Sequence, residues 1–173
     1  MVSFFFCEGI GMLRFYDVDY DYIRYLKSIE PKVPNIVYNG NNKFVCGIVL
    51  SIRGINYYAP ISHFNKAQRT NFPIYDKGKI ISTVRFCFMF PAILSVLSEK
   101  DFKEINTENP KYADLLKTEY AYCRLHEDEV RKRALAVYKI GCNPKHPYFK
   151  NCCDFKALES AYTSYPMAKN KAE

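Results

Sequence analysis

In KFVCGIVLSIRGINYYAPISHFNK, residues 43–66, the apolar run Phe44, Val45, Cys46, Ile48, Val49, Leu50 and Ile52 leads into Arg53-Gly54, and Ile55, Tyr57 and Tyr58 carry the chain back. Apolar, β-branched and aromatic runs on either side of a short glycine turn spell a β-hairpin. A hairpin brings its far ends together. Lys43, ahead of the first strand, and Ser62, His63 and Lys66, after the second, are therefore expected at one end although they are well separated in sequence. Two cations, a hydroxyl and an imidazole gathered at a strand end suit a phosphodiester; a hairpin end that is polar only because it is exposed gives the same pattern.

Working outward, LRFYDV (residues 13–18) reads as a strand. Asp19 or Asp21 then caps a helix carrying Tyr22, Ile23, Tyr25, Leu26 and Ile29 at helical spacing, which Pro31 stops. The turn-rich KVPNIVYNGNN (residues 32–42) is a loop that delivers Tyr38 and Lys43 to the hairpin. After His63, the polar stretch FNKAQRTNFPIYDKGK (residues 64–79) reads as an exposed basic loop beside the site, bearing Lys66, Arg69, Lys77 and Lys79. Strand character returns in IISTVRFCFMF (residues 80–90) and again after Pro91, which completes an antiparallel sheet of about six strands.

The remainder is mainly helical. Pro110 suits a first helical position, and Tyr112, Leu115, Leu116, Tyr120 and Cys123 share one face. A break near His126 precedes a second helical stretch over residues 128–140, with Gly141 as its C-cap. Arg124, Arg131, Lys132, Arg133 and Lys139 cluster there, which a solvated helix face or an RNA groove explains equally well. A last helix follows Asp154 and ends before Pro166. The fold class is α+β, in one domain over residues 1–173.

The 173 residues carry a formal charge of +7 and a pI near 9.0, with fifteen Tyr, thirteen Phe and no Trp. Cations hold phosphates and flat rings stack on unpaired bases, so this balance favours RNA. Seven scattered cysteines, several inside apolar runs, point to a reducing cytoplasm. Their one cluster, Cys142, His146, Cys152 and Cys153, lacks the paired knuckles of a structural zinc site, and no metal or cofactor is expected. The longest apolar stretch, residues 86–97, is broken by Pro91 and falls short of the ~20 residues that span a bilayer. MVSFFFCEGIG has no basic region of a signal peptide. Residues 1–11 are also readable as an extension ahead of a native start at Met12, because the patterned chain begins at Leu13 and Glu8-Gly9 codons can encode a purine-rich ribosome-binding sequence. A native protein mass that includes the first residue would exclude this.

LRFYDVDYDYIRYLK, KVPN, GIVLSIRG and above all NYYAPISHFNK, taken in order, resemble the ToxN/AbiQ family of type III toxin–antitoxin endoribonucleases. The likeness is dense over residues 13–66 and beyond them rests on the order of elements. It implies a twisted antiparallel β-barrel-like core akin to the Kid and MazF toxins, decorated with helices. It also implies cytoplasmic, metal-independent RNA cleavage in which a 2′-hydroxyl attacks the adjacent phosphate, leaving a 2′,3′-cyclic phosphate. The implied partners are a small repeat RNA antitoxin, folded as a pseudoknot, that the toxin processes and that closes with it into a toxin–RNA oligomer. The implied substrates are cellular or phage RNA, with no membrane involved. By position, the family's loop Tyr matches Tyr38 across a one-residue gap, its Lys matches Lys43, and the Thr of its YLAPLTSPK-type motif matches Ser62. The following Lys falls on Asn65 or, with one insertion, on Lys66. Where the family often has Ser, this chain has His63.

Such cleavage needs a base, an acid and positive charge where the phosphorane gathers negative charge. Lys43 and Lys66 supply charge, His63 is the natural proton carrier with an ordinary pKa of about 6.5, and Ser62 can donate to a non-bridging oxygen. Tyr38 is suited to position the phosphate or stack on a base, and Arg69, Lys77, Lys79, Arg131 and Lys132 are candidate RNA contacts. Acid and base roles are not separable between His63 and Lys43. A noncatalytic RNA-binding module and a small protein-interaction domain are the competing readings.

Overall fold

The computed structural model describes residues 11–35, 37–38, 41–42 and 44–166, with the backbone alone for 37–38 and 41–42. Strand β1 (Arg14–Val18) runs into helix α1 (Tyr20–Ile29). Of the two candidate caps Asp19 is used: its Oδ1 accepts from the N–H groups of Asp21 and Tyr22 at 2.8 and 3.2 Å, which satisfies two of the helix's orphan donors. Two short strands, β2 (Val37–Tyr38) and β3 (Asn41–Asn42), pair within the loop that follows.

The hairpin forms as the sequence predicts, from β4 (Val45–Ile52) and β5 (Ile55–Ser62). Arg53 and Gly54 both adopt left-handed backbone (φ 50° and 81°), the turn whose twist matches that of the strands it joins. The register shifts at a bulge between Gly47 and Leu50, after which Gly47 lies opposite Tyr58 and Val45 opposite Pro60. Only glycine fits at 47, since a Cβ there would lie 2.0 Å from Cδ1 of the fully buried Tyr58.

Of residues 64–79, only 64–70 form the exposed irregular loop expected from sequence. Strand β6 (Asn71–Asp76) turns through Lys77 and Gly78, again left-handed (φ 49° and 76°), into β7 (Lys79–Arg85). Phe72 and Ile74 alternate into the core. Pro73 disguises the strand, and it is tolerated because β6 is the edge of the sheet.

The apolar stretch after β7 holds two 3-10 turns, the short β8 (Phe90–Pro91) beside β5, and β9 (Leu97–Glu99) beside β1. The result is a seven-stranded antiparallel sheet ordered β6-β7-β5-β4-β1-β9, with β8 attached to β5. It is open: among the described residues its outer strands β6 and β9 do not pair.

Helices α2 (Phe102–Glu108), α3 (Pro110–Leu125), α4 (Glu127–Gly141) and α5 (Phe155–Ser164) make up the C-terminal half. Asn109 caps α3 with Pro110 in its first turn, and Asp154 caps α5. Gly141 is the last residue of α4 rather than a left-handed cap. It is small because a Cβ there would meet the Phe155 ring at 2.4 Å. Across this seam Glu159 Oε1 accepts from Tyr57 OH at 2.8 Å and Tyr138 OH at 2.6 Å, tying α5 and α4 to β5.

The described cysteines are free thiols, and Cys87 Sγ lies 3.2 Å from Cys152 Sγ in the core. No group of three His, Cys, Asp or Glu among the described residues is arranged to hold a metal. No described helix is long and apolar enough to cross a membrane.

Candidate active site

Strand β5 ends where the sheet changes partners. Ile61 pairs with Val84 and Ser62 with Thr83 of β7, while the Ile61 N–H donates to the Phe44 carbonyl at 3.4 Å on the other side. The chain leaving the loop before β4 thus meets the end of β5, as the hairpin reading requires. Lys43 itself and the side chain of Tyr38 lie outside the described residues. Phe64 N–H donates to Ser62 Oγ at 3.2 Å, a local side-chain turn that lifts the chain off the sheet and leaves His63 exposed.

Alternation along a strand puts successive side chains on opposite faces, so Ser62 sides with Thr83 while Ser82 faces the other way, and His63 lies just past the end of β5. There α3 contributes a residue that sequence reasoning missed. Glu119 is 1% exposed, and burial raises its carboxyl pKa above the usual range, opposed by the nearby Ser82 hydroxyl and by His63. Thr83 Oγ1, opposite Ser62, is buried without a hydrogen-bond partner among the described residues, while Ser82 Oγ and Glu119 Oε1 are buried close to each other without a well-formed hydrogen bond. An unsatisfied buried polar group costs about 1–3 kcal/mol, so each of these groups calls for an explanation beyond packing. The signal was available: Glu119 occupies the apolar stripe of Tyr112, Leu116 and Cys123 on α3.

Lys66 and Arg69 sit in the exposed loop between β5 and β6. That loop is clamped by the fully buried Asn71, whose Nδ2 donates to the Lys66 carbonyl and whose Oδ1 accepts from Gln68 N–H, both at 3.0 Å. Lys66 therefore leaves a positioned backbone, with an ammonium in no ion pair among the described residues.

Lys77 and Lys79 lie at the tip of the β6-β7 hairpin. With Thr83 opposite Ser62 and Lys79 four residues earlier, that tip stands roughly 13 Å beyond Ser62. Arg131 Nη2 donates to Glu127 Oε1 and to the Gly11 carbonyl, both at 2.6 Å, so its guanidinium is engaged within the protein. Lys132 is exposed on the same helix.

A second missed residue is Arg85, two positions beyond Thr83 on the same face of β7 and so about 7 Å from it. Its half-buried guanidinium lies over the rings of Phe64 at 4.7 Å and Phe88 at 5.0 Å. Burial lowers its pKa, and no carboxylate pairs with it among the described residues. A hydroxyl, an imidazole close enough to a buried carboxyl to act on its charge, and the cations Lys66 and Arg85 therefore lie near one strand end. The set can carry protons and stabilise a phosphorane.

Known proteins share this chain's sequence pattern and fold. A family model described as toxin ToxN of a type III toxin–antitoxin system matches residues 14–163. The chain is 28% identical to the endoribonuclease AbiQ of Lactococcus lactis subsp. lactis, over 95% of its own length and 96% of that protein. One solved structure, of a type III toxin selectively inhibited by a non-coding RNA pseudoknot, superimposes with a TM-score of 0.81 at 24% identity, covering 90% of this chain and 98% of the other. Another, from a bacterial antiviral system regulated by a processed non-coding RNA, does so at 0.79 and 26% identity, covering 88% and 99%.

Proposed function

The chain belongs to the ToxN family of type III toxin–antitoxin toxins, and from that membership we propose that the Ser62–His63 corner cleaves RNA without a metal. It is an endoribonuclease toxin. In the proposed reaction the 2′-hydroxyl of the nucleotide at β5's end attacks its own 3′-phosphate, the 5′-oxygen leaves, and the products are a 2′,3′-cyclic phosphate and a 5′-hydroxyl. His63 carries a proton in one of the two transfers. Ser62 donates to a non-bridging oxygen, its own oxygen having accepted from Phe64 N–H. Lys43, Lys66 and Arg85 neutralise the phosphorane, Tyr38 positions or stacks, and Arg69, Lys77, Lys79 and Lys132 guide the strand electrostatically. Arg131 adds its charge to the same field.

The observation that carries this reading is the buried Glu119 carboxyl, near enough to Ser82 and His63 for both to oppose the rise in its pKa, at the strand end where Ser62 lies opposite Thr83. An exposed hairpin end has no use for a buried carboxylate. A structural relative is inhibited by an RNA pseudoknot; for this chain the corresponding partner is a small folded repeat RNA that it processes and with which it forms a closed assembly in the cytoplasm. The open sheet is read as a Kid- and MazF-like barrel core parted between β6 and β9.

The test is incubation of purified protein with mixed RNA in EDTA, with mapping of fragment ends, beside Ser62→Ala and His63→Ala. Cleavage that survives the chelator and leaves cyclic phosphates is expected, with a 10²- to 10⁴-fold loss in His63→Ala, on the order of a general acid–base contribution. Wild-type rates in both variants would remove the chemistry from this corner.

A further inference from the structure

Beside the corner lies an open groove lined by Gln68, Arg69, Thr70, Tyr148 and Asn151. One wall is the loop clamped by Asn71. The other is the turn after α4, held by His146 Nδ1 accepting from Tyr148 N–H at 3.1 Å and by Asn151 N–H donating to the Tyr148 carbonyl at 3.0 Å. Both walls are therefore built before any ligand arrives.

Their charge is of one sign. Residues 62–71 and 143–151 contain Lys66, Arg69, Lys145 and Lys150 and no Asp or Glu, and none of these four cations is in an ion pair among the described residues. Tyr148 is 39% exposed, with its ring leaning on His146. The side-chain amides of Gln68 and Asn151 are exposed, and neither takes a partner among the described residues.

A free aromatic face, two free carboxamides and a free guanidinium are the parts that hold an unpaired base: the ring stacks, the amides meet the base edge and the cation takes the flanking phosphate. Apart from the tilted contact of the Tyr148 ring with His146, all four are available to a ligand in one groove. The register places the groove near the cut. From Ser62 opposite Thr83 to Asn71 opposite Arg85 is two residues along the strands and two strands across, roughly 12 Å, a few nucleotides of extended strand.

We propose that this groove binds one unpaired RNA base a few nucleotides from the scissile phosphate, with Tyr148 as the stacking platform, Gln68 and Asn151 on the base edge, and Arg69 on the phosphate. It is thereby the element that reads sequence context, which a basic corner alone cannot do. This rests on the ribonuclease reading and adds a specificity subsite to it. Carboxamides pair bidentately with adenine, so adenine is the preferred occupant.

The experiment compares wild type, Tyr148→Ala, Tyr148→Phe and Gln68→Ala on a dinucleotide and on an eight-nucleotide single strand varied one position at a time. Tyr148→Ala is expected to lose roughly tenfold or more in kcat/KM on the longer strand, the effect of one lost base stack, and nothing on the dinucleotide. Tyr148→Phe should keep wild-type rates, and Gln68→Ala should flatten the base preference at one position. Equal rates for wild type and Tyr148→Ala on both substrates would overturn the proposal, as would Tyr148→Phe failing like Tyr148→Ala. Should wild type cleave nothing, the ribonuclease reading falls by itself, and equilibrium binding of the labelled strand decides the groove. Weaker binding in Tyr148→Ala, with preference for single over double strands, upholds it; equal binding, or no such preference, rejects it.

Discussion

Replacing Glu159 with alanine tests how the helical half is fastened to the strand that carries Ser62. Glu159 Oε1 accepts from Tyr57 OH at 2.8 Å and Tyr138 OH at 2.6 Å, and Lys156 Nζ contacts Oε2 at 3.0 Å and Tyr138 OH at 2.7 Å. Tyr138 keeps Lys156 as a partner after the change. Tyr57 keeps none, and it is fully buried. A hydrogen bond to a charged group contributes about 1.5–3 kcal/mol, and stranding a buried hydroxyl costs a similar amount; the half-exposed Lys156 pair adds little. We expect a loss of about 3 kcal/mol, or roughly 6–12 °C in Tm for a chain of this size, read by circular dichroism at pH 7.

The cost should fall by about 1 kcal/mol or more in a Tyr57→Phe background, because the lost partner is then already absent. Burial pushes the Glu159 carboxyl up, but hydrogen bonds from Tyr138, Lys156 and Tyr57 outweigh it and hold the pKa below the usual range. A depressed carboxylate stabilises the fold above its unfolded pKa of about 4.3 and loses that contribution as pH falls through the lower folded value. The gap between wild type and variant should therefore narrow in acid. A drop below about 2 °C at pH 7, on the same scale, or a gap independent of pH, would refute the reasoning.

Glu119 has the opposite sign: its raised pKa penalises the native state once pH exceeds the unfolded value, so Glu119→Gln should melt higher than wild type at pH 7 and alike near pH 4, while cleavage falls if the carboxylate steadies His63. A lower Tm at neutral pH would show that the carboxylate is paired. Gly47→Ala forces a Cβ to within 2.0 Å of the Tyr58 ring, and overpacking of this kind should cost about 3 kcal/mol; Tyr58→Leu in the same chain should recover most of the loss in a urea titration, and no recovery would assign the cost to the backbone at the bulge.

Much of the fold was legible because its instructions are local. Arg53-Gly54 between two apolar runs, an aspartate at 19 or 21 ahead of an amphipathic stretch, and Pro110 at a helix start each act on neighbours a few residues away. Lys77-Gly78 is written in the same way as Arg53-Gly54, and adopts the same backbone, but Pro73 concealed the strand before it. Whether a proline is tolerated depends on whether the strand is an edge, which no local pattern states. Gly141 looked like a cap for the same reason: the Phe155 ring that forbids a side chain there belongs to another helix.

The candidate site divides along the same line. The sequence by itself determined that Ser62, His63 and Lys66 leave the end of a strand, since hairpin geometry follows from alternation and turn type. The tertiary structure alone decided that Glu119 comes close to His63, that Arg85 lies over Phe64, that Arg131 is engaged by the Gly11 carbonyl, and that Tyr148 shares a groove with Arg69. Those neighbours come from elements far apart in the chain, brought together by helix packing and strand order, and the burial that perturbs Glu119 and Arg85 exists only once the core has closed.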